Sequence, residues 1–326
     1  MPDPPTFSLP ITSRHINLVA EISDQLGARG AAAGPAPSPK LRRENRIRTI
    51  QASLAIEQNT LGIDQVSAIL DGKRVLGTKR EIREVENTIV AYDQLGDWSP
   101  FRTADLLAAH RALMTGLVPE AGRFRSGGVG IFRGRDLVHM APPAERVRGL
   151  VGELFAWLKR EKLHPLLTGA VAHYELEFIH PFADGNGRIG RLWQTLVLSK
   201  WKPELAWLPV ETVVQDRQRD YYAALAASDK QGNSAAFVEF ILLAILECLR
   251  QADQVTDQVT DQVAKLLVVL RPGEQLSATE LMKRLKLSHR PTFRVNYLQS
   301  ALEAGVIEMT QPESPRSPTQ RYRLRN

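Results

Sequence analysis

The sequence predicts a mainly α-helical protein with a β-hairpin near its middle and a small separate domain at its C-terminal end. Apolar residues recur three and four positions apart through most of residues 40–251, which is the spacing of amphipathic helices. Two short β-prone runs, separated by a polar, Gly-containing turn, lie between Gly122 and Met140. At 326 residues with 43% hydrophobic content, the chain can bury a sizeable core and still carry an accessory domain.

The helical period predicts the elements in chain order. Residues 1–40 are rich in Pro, Gly and Ala and predict an extended arm around one helix at about 14–27. The helices expected after this arm span roughly 40–57, 63–70, 79–94, 103–115, 143–161, 165–179, 187–201, 213–229 and 234–251. Residues 253–263 then repeat Asp-Gln-Val-Thr, which places valines four apart. Such a narrow apolar stripe predicts a connecting helix.

The C-terminal residues predict a helix, a turn, a second helix and a hairpin. Ser277 is a cap signal for the first helix, and the second runs from Thr292 to Ala304, where Gly305 ends it. Residues 306–310 and 322–324 flank a Pro-rich loop and predict the two strands. This order resembles the winged-helix domain of DNA-binding regulators.

Charge is concentrated in this C-terminal part. Residues 271–326 contain ten Lys and Arg against five Asp and Glu, and so carry +5 of the net +6 of the chain. The side chains that could follow DNA phosphates are His289, Arg290, Arg294, Arg316, Arg321, Arg323 and Arg325. Winged helices also mediate protein contacts, so both kinds of partner stay open.

The most informative segment is residues 180–191, His-Pro-Phe-Ala-Asp-Gly-Asn-Gly-Arg-Ile-Gly-Arg. A proline and two glycines predict a tight loop, and the apolar spacing that follows predicts a helix. Backbone N–H groups of such a loop can cradle an anion at the start of the helix. Arg188 and Arg191 lie about one turn apart, so both can face the same phosphates. These residue types together indicate a polyphosphate site.

Residues 180–191 match His-Pro-Phe-x-Asp-Gly-Asn-Gly-Arg-x-x-Arg at every specified position and thereby resemble the signature of Fic domain proteins. The resemblance implies a Fic helical bundle with a β-hairpin flap, and transfer of AMP from ATP to a hydroxyl of a target protein. It implies that His180 is the general base and that Asp184 is the Mg²⁺ ligand. The positions that it assigns to ATP binding are Gly185, Asn186, Gly187, Arg188, Arg191, Tyr221 and Tyr222. For the two tyrosines, packing against the bundle is an equal alternative.

Position 187 bears on the reaction. Related sequences with Lys at the equivalent position phosphorylate their targets, so Gly187 favours AMP transfer. The flap resembles a target-docking element, in which Val129 and Ile131 would hold a target segment by main-chain pairing and present its hydroxyl to His180.

A second segment, Ser53-Leu-Ala-Ile-Glu57-Gln-Asn, resembles the inhibitory helix motif of Fic proteins. Gln58 stands where that motif has Gly or Asn. The resemblance implies that Glu57 pairs with Arg191 and occupies the space of the γ-phosphate. The alternative is an ordinary solvated Glu on an amphipathic helix.

These expectations define domains and partners. We expect an N-terminal arm and inhibitory helical region at 1–100, a Fic catalytic core at 101–251, a helical linker at 252–270 and a winged-helix domain at 271–326. ATP, an unidentified target protein and Mg²⁺ are the expected partners, while a homodimer and DNA stay open. A DNA-binding regulator or a de-AMPylating Fic protein is the alternative function.

Composition sets the expected compartment. Cys248 is the single cysteine, which excludes an intramolecular disulfide. The first residues resemble no signal peptide, and the longest apolar run is far too short for a membrane span. We therefore expect a cytoplasmic protein that binds no membrane.

Overall fold

The computed structural model describes residues 7–32, 39–133, 136–271, 273–303, 305–315 and 317–324. The chain forms two compact units that divide between Leu249 and Arg250. Helices dominate both units, and each unit contributes one two-stranded antiparallel sheet. The predicted mainly α fold class is confirmed. Across the described residues, the helices are too short or too polar to cross a lipid bilayer.

The N-terminal unit contains the predicted helices in the predicted order. Its elements are α1 (Ser13–Ala32), α2 (Pro39–Ile56), α3 (Ile63–Leu70), α4 (Lys79–Asp93), α5 (Thr103–Met114), β1 (Gly130–Arg133), β2 (Asp136–Met140), α6 (Ala144–Arg160), α7 (Pro165–Ile179), α8 (Asn186–Trp201), α9 (Val210–Asp216), α10 (Gln218–Gln231) and the first part of α11 (Ala235–Val269), which continues into the C-terminal unit. Two details differ from the sequence pattern. The helix expected at 213–229 is two helices that meet at Arg217, and the connecting helix is the continuation of α11, because residues 235–269 contain no Gly or Pro to end it.

Helices α7 and α8 form the centre of the N-terminal core. Both are buried on nearly all sides, as expected for helices that lack a polar face. Gly169 lets the two backbones approach, since a Cβ there would meet Leu198 at 3.2 Å. The loop between α7 and α8 contains the start of the 180–191 motif, so the central helices hold both ends of the predicted site.

Helix α2 packs in a smaller core beside α3 and α4. Ile47, Ile50 and Leu54 of α2 are buried against Leu61 and the neighbouring helices. Burying such side chains stabilises the packing by roughly 1.5–3 kcal/mol each. This core fixes the C-terminal end of α2, which carries Ser53 and Glu57.

The C-terminal unit contains the predicted helices and hairpin. Its further elements are α12 (Ala278–Arg284), α13 (the consecutive helical stretches Arg290–Thr292, Phe293–Gln299 and Ser300–Glu303), β3 (Ile307–Met309) and β4 (Tyr322–Leu324). Ser277 caps α12 by accepting from the Glu280 N–H, and the Glu280 side chain accepts from the Ser277 N–H in return. Leu281, Phe293 and Ile307 share one core with the last turns of α11.

Candidate active site

The loop after α7 begins with a left-handed residue. His180 has φ 49° and ψ 61°, and its N–H closes the last turn of α7 on the Leu176 carbonyl. Pro181 follows, and a residue before proline avoids the right-handed helical region. The His180 Nδ1 lies 3.3 Å from the Glu177 carbonyl oxygen, which can only accept a hydrogen bond. Nδ1 therefore carries the proton in this contact, and the basic lone pair of the ring is on Nε2.

Asn186 holds the loop closed. Its side chain accepts from the Phe182 N–H and donates to the Phe182 carbonyl, both at 2.9 Å. These two bonds use one of the two side-chain N–H groups, so a phosphate contact of this side chain stays a prediction. Its backbone N–H, on the first turn of α8, can also face an anion.

His110 is a scaffold beneath the loop. Its ring stacks on Phe182 at 3.6 Å between centroids, and its Nδ1 accepts from the Gly122 N–H. The Nε2–H therefore donates to the Asp184 carbonyl at 2.9 Å. Burial lowers the pKa of His110 to about 4, so the ring stays neutral near pH 7. His110 fixes the loop and does not compete with His180 as a base.

Arg125 is a site residue that the sequence reasoning missed. Its guanidinium donates to the carbonyls of His180, Gly127, Pro142 and Ile179. Its backbone N–H also donates to the Pro181 carbonyl at 3.0 Å. One buried arginine thus joins the base of the flap to the loop. The Gly-Arg-Phe-Arg run before the flap was the available signal, but carbonyl partners far apart in sequence leave no pattern.

The flap is the predicted hairpin. Strands β1 and β2 pair antiparallel with a bulge between Ile131 and Phe132. The Val129 carbonyl lies outside β1 and accepts from the Ala141 N–H at 3.2 Å. Ile131 lies in β1 opposite His139, and residues 134 and 135 at the turn lie outside the described residues. The role of Val129 and Ile131 in target docking stays a prediction.

Asp184 and Arg188 lie on the side of the loop that faces α4. Asp184 Oδ1 accepts from the Gly185 N–H at 2.6 Å and is 3.4 Å from Arg188 Nη2. Glu84 of α4 lies 3.6 Å from Arg188 Nη1, which is too long for a hydrogen bond. Arg188 has a side chain only 4% exposed, yet its Nε and Nη1 have no hydrogen-bond partner among the described residues. A buried cation with spare donors is built for an anion.

Arg191 contacts the end of α2. Its Nε donates to Ser53 Oγ at 3.1 Å, and its Nη2 donates to the Ser53 carbonyl at 3.0 Å and to Glu57 Oε1 at 2.7 Å. Burial lowers the pKa of Arg191, but Glu57, Tyr221 and Glu177 together outweigh this effect and the pKa is raised. The predicted contact between Glu57 and Arg191 is therefore present. Gly187 makes room for it, because a Cβ at this position would collide with Glu57.

The end of α2 explains how Gln58 replaces the usual Gly or Asn. The Asn59 N–H donates to the Leu54 carbonyl and the Gln58 N–H to the Ala55 carbonyl, which is the hydrogen-bond pattern of a Schellman cap. Gln58 adopts the left-handed conformation that this cap requires, with φ 68°. The departure from the motif thus strains one residue and leaves the cap and Glu57 in place.

The two tyrosines of α10 differ. Tyr221 is buried, and its hydroxyl lies within hydrogen-bond distance of His173 and Glu177, behind Arg191. The packing alternative therefore describes Tyr221 better than contact with a nucleotide base. Tyr222 is partly exposed and packs edge-on against Tyr221, so it stays a candidate for base contact.

The donor set suits a nucleotide with a metal. Within the described part of the chain, no three His, Cys, Asp or Glu side chains converge as a complete set of metal ligands would. Asp184 alone offers a half-exposed carboxylate at the loop. Mg²⁺ commonly uses one or two carboxylates together with phosphate oxygens and water. Asp184 and the spare donors of Arg188 fit that pattern.

Comparison with protein families gives two matches. Residues 100–198 match the Fic/DOC family, and residues 261–325 match the C-terminal domain of Fic-like proteins, described as "filamentation induced by cAMP protein Fic-like". The Fic/DOC match contains α5, the flap, α7 and residues 180–191.

Curated relatives carry the same family name. Protein adenylyltransferase Fic of Nematostella vectensis is 30% identical over 225 residues, which cover 64% of this chain and 49% of the relative. Protein adenylyltransferase fic-1 of Caenorhabditis elegans is 31% identical over 214 residues, which cover 62% of this chain and 40% of the relative. The chain thus spans half or less of the length of these relatives.

Solved structures agree. Fic-1 of C. elegans is similar with a TM-score of 0.60 and 25% identity, over 74% of this chain and 73% of that one. The crystal structure of a Fic family protein from Desulfovibrio desulfuricans is similar with a TM-score of 0.71 and 57% identity, over 98% of both chains. Because this likeness extends over nearly the whole length and includes the loop built around His180, the chain belongs to the Fic family.

Proposed function

We propose that the protein is an ATP-dependent protein adenylyltransferase that is autoinhibited by Glu57. The carrying observation is the pair of buried arginines on α8. Arg188 has donors without partners, while Arg191 is neutralised by a carboxylate from another helix. Arg188 and Arg191 can together bind a polyphosphate, and Glu57 blocks Arg191 from doing so. This arrangement suits an enzyme that uses a polyphosphate and is regulated. The names of the curated relatives support this choice.

The reaction follows from the arrangement of the loop. His180 Nε2 takes the proton from a target Ser, Thr or Tyr hydroxyl as its oxygen attacks the α-phosphorus of ATP. The new phosphorus–oxygen bond forms as the bond to the bridging oxygen breaks, and pyrophosphate leaves. Backbone N–H groups of residues 185–187 stabilise the charge that develops on the α-phosphate. Mg²⁺ held by Asp184 would neutralise phosphate charge.

The arginines bind the outer phosphates. Arg188 donates its spare N–H groups, and Arg191 does so when Glu57 leaves, in a forked geometry that Lys cannot reproduce. The flap, with Val129 and Ile131, holds the target segment by main-chain pairing. Glu57 inhibits because it neutralises Arg191 and repels the γ-phosphate.

The test uses ATP labelled at the α-phosphate. Glu57→Gly protein, incubated with Mg²⁺ and cell lysate, should label itself or a target, and Glu57→Gly combined with His180→Ala should not. His289→Gln, in the same background, replaces an exposed histidine of the C-terminal unit and is a control for an imidazole that is not the base. Equal labelling with and without His180 would reject the assigned base. Absence of label together with release of AMP from a modified protein would favour the de-AMPylating alternative.

The C-terminal unit is proposed to direct the catalytic unit to its partner. Two of the arginines expected to follow DNA are paired, Arg321 with Glu280 at 3.4 Å and Arg323 with Glu308 at 2.6 Å. Arg316 and Arg325 lie outside the described residues. Such pairing reduces the positive charge open to DNA, so a protein partner is favoured. DNA binding would instead show as affinity that falls steeply with added salt.

A further inference from the structure

Asp184 has a second arginine beside it, which contacts Oδ2 while Arg188 contacts Oδ1. Arg80 Nη2 lies 3.4 Å from Asp184 Oδ2, and Arg80 Nε lies 3.3 Å from Glu84 Oε1. Both contacts are long, and the Arg80 side chain is 59% exposed. Arg80 therefore reaches the proposed metal ligand from α4 without being locked there.

The backbone beneath Arg80 is rigid while its side chain is not. Thr78 and Glu81 form a capping box at the start of α4, and Glu81 also accepts from the Thr60 hydroxyl at 2.6 Å. Asn59 Nδ2 donates to Glu84 Oε2 at 2.9 Å. The first turn of α4 is thus fixed, so the exposed guanidinium of Arg80 can move without any change in the helix.

The position of Arg80 is unfavourable for the helix itself. The N-terminal end of a helix carries partial positive charge, which disfavours a cation in the first turn. Arg80 is in that turn, and Lys79 precedes it. Glu84 and Asp184 offset this repulsion over long contacts, so an anion bound beside them would be a further favourable partner for Arg80.

The local charge balance also favours contact between Arg80 and a bound anion. Arg80 and Arg188 face Glu84 and Asp184, so this cluster is neutral before ligand binds. Asp184 is the carboxylate that would hold a metal ion, so metal binding there would leave the Arg80 guanidinium with one partner fewer. The complex of Mg²⁺ with ATP carries net negative charge, and the exposed Arg80 would be a cation available to it.

We propose that Arg80 is a third phosphate-binding arginine, which moves from Asp184 to the outer phosphates of the nucleotide. This inference rests on the proposed function. Arg80 then helps Arg188 and Arg191 to hold the pyrophosphate that leaves in the reaction.

The test measures binding by calorimetry and not activity. The background is Glu57→Gly, and the ligand is the Mg²⁺ complex of α,β-methylene-ATP, whose bond to the leaving group cannot be cleaved. Arg80→Ala should weaken its binding about tenfold, the low end for a hydrogen bond between charged groups at an exposed site. Binding of AMP should be unchanged, because AMP lacks the outer phosphates. Arg80→Lys should recover part of the loss.

Arg83→Ala is the matched control. Arg83 is an exposed arginine one turn further along α4, where it pairs with Glu86 at 3.1 Å, and its removal should leave both affinities unchanged. If Arg80→Ala binds the analogue as tightly as its parent, or loses AMP to the same extent, the inference is wrong. If the Glu57→Gly parent itself does not bind the analogue, the proposed function is overturned and the inference with it.

Discussion

At the residue scale, Glu57 and Arg191 act through a single ion pair. The guanidinium is buried and also donates to Ser53, so it keeps its place when the carboxylate is removed. Loss of Glu57 then leaves a buried cation ready for a phosphate. Alignment of the α-phosphate with the attacking hydroxyl is worth orders of magnitude in rate.

Glu57→Gly should therefore raise the rate of AMP transfer by about tenfold or more, whereas Glu57→Gln should raise it less, since Gln keeps a hydrogen bond but not the charge. Arg191→Ala placed on Glu57→Gly should remove much of the gain, because the two residues act through one contact. The measurement is initial rate of label incorporation across protein concentrations. An unchanged rate at every concentration would show that the ion pair between Glu57 and Arg191 does not inhibit AMP transfer.

Gln58 carries backbone strain that glycine would relieve. A non-Gly residue in the left-handed region destabilises the folded state by about 1–2 kcal/mol. Replacement by Gly removes this strain, but the greater conformational entropy of Gly in the unfolded state offsets part of the gain. Gln58→Gly should raise the free energy of unfolding by about 0.5–1 kcal/mol in urea titrations. Gln58→Ala should give no gain, since Ala suffers the same strain. A gain of equal size from Ala would contradict this account of the cap.

Glu211 predicts a pH effect on stability. It is buried beside the Tyr92 hydroxyl, which donates to it at 3.1 Å, and burial raises its pKa to about 7. The folded state then binds a proton between pH 4.5 and 7 that the unfolded state releases, so stability falls as pH rises through this window.

Glu211→Gln should remove the part of that fall that Glu211 causes. The variant and wild type should have equal stability near pH 4, and the variant should gain up to about 2–3 kcal/mol by pH 8. The measurement is urea unfolding at several pH values. The raised pKa of Glu175, about 8, is common to both proteins and cancels in the difference. A constant difference at all pH values would exclude Glu211 as the titrating group.

At the element scale, the flap and the loop after α7 form one assembly because Arg125 donates to carbonyls of both. Removing the donor leaves several carbonyl groups without a partner inside the protein, and each such group costs about 1–3 kcal/mol. The flap proposed to dock the target and the loop that carries the proposed base therefore share one support.

Arg125→Met should lower the free energy of unfolding by about 2–4 kcal/mol and reduce AMP transfer, and Arg125→Lys should rescue little because an ammonium cannot span the same carbonyls. Urea titration and the labelling assay measure the two effects. Arg123→Met, two residues earlier and exposed, is the matched control. Full activity in a folded Arg125→Met protein would show that the loop keeps its active conformation without Arg125.

At the scale of the whole molecule, the chain has two compact units with separate cores. The core around Leu266, Leu281 and Phe293 is built entirely from residues after Arg250. Fragments 1–249 and 250–326 should therefore fold separately, each with its own cooperative thermal transition. The first should keep nucleotide binding. A 250–326 fragment without a melting transition would mean that its core depends on the rest of the chain.

The amino-acid sequence by itself determined the helical fold class, the loop with its following helix, and the family. It did so because helix periodicity, Pro and Gly at the loop, and a long motif are local properties that survive without knowledge of the fold. The pairing of Glu57 with Arg191 was reached from the sequence only through the family resemblance, since these residues lie far apart in the chain.

Only the tertiary structure decided how donors and acceptors are distributed. In the structure, the Asn186 side chain is hydrogen-bonded to the Phe182 backbone, and Tyr221 is buried. Arg80 and Arg125 contact the loop after α7. Side chains of this kind satisfy backbone carbonyls or carboxylates that are distant in sequence, and such pairing follows from the packing of whole helices. Sequence periodicity does not predict this pairing, because each contact depends on where two separate elements meet.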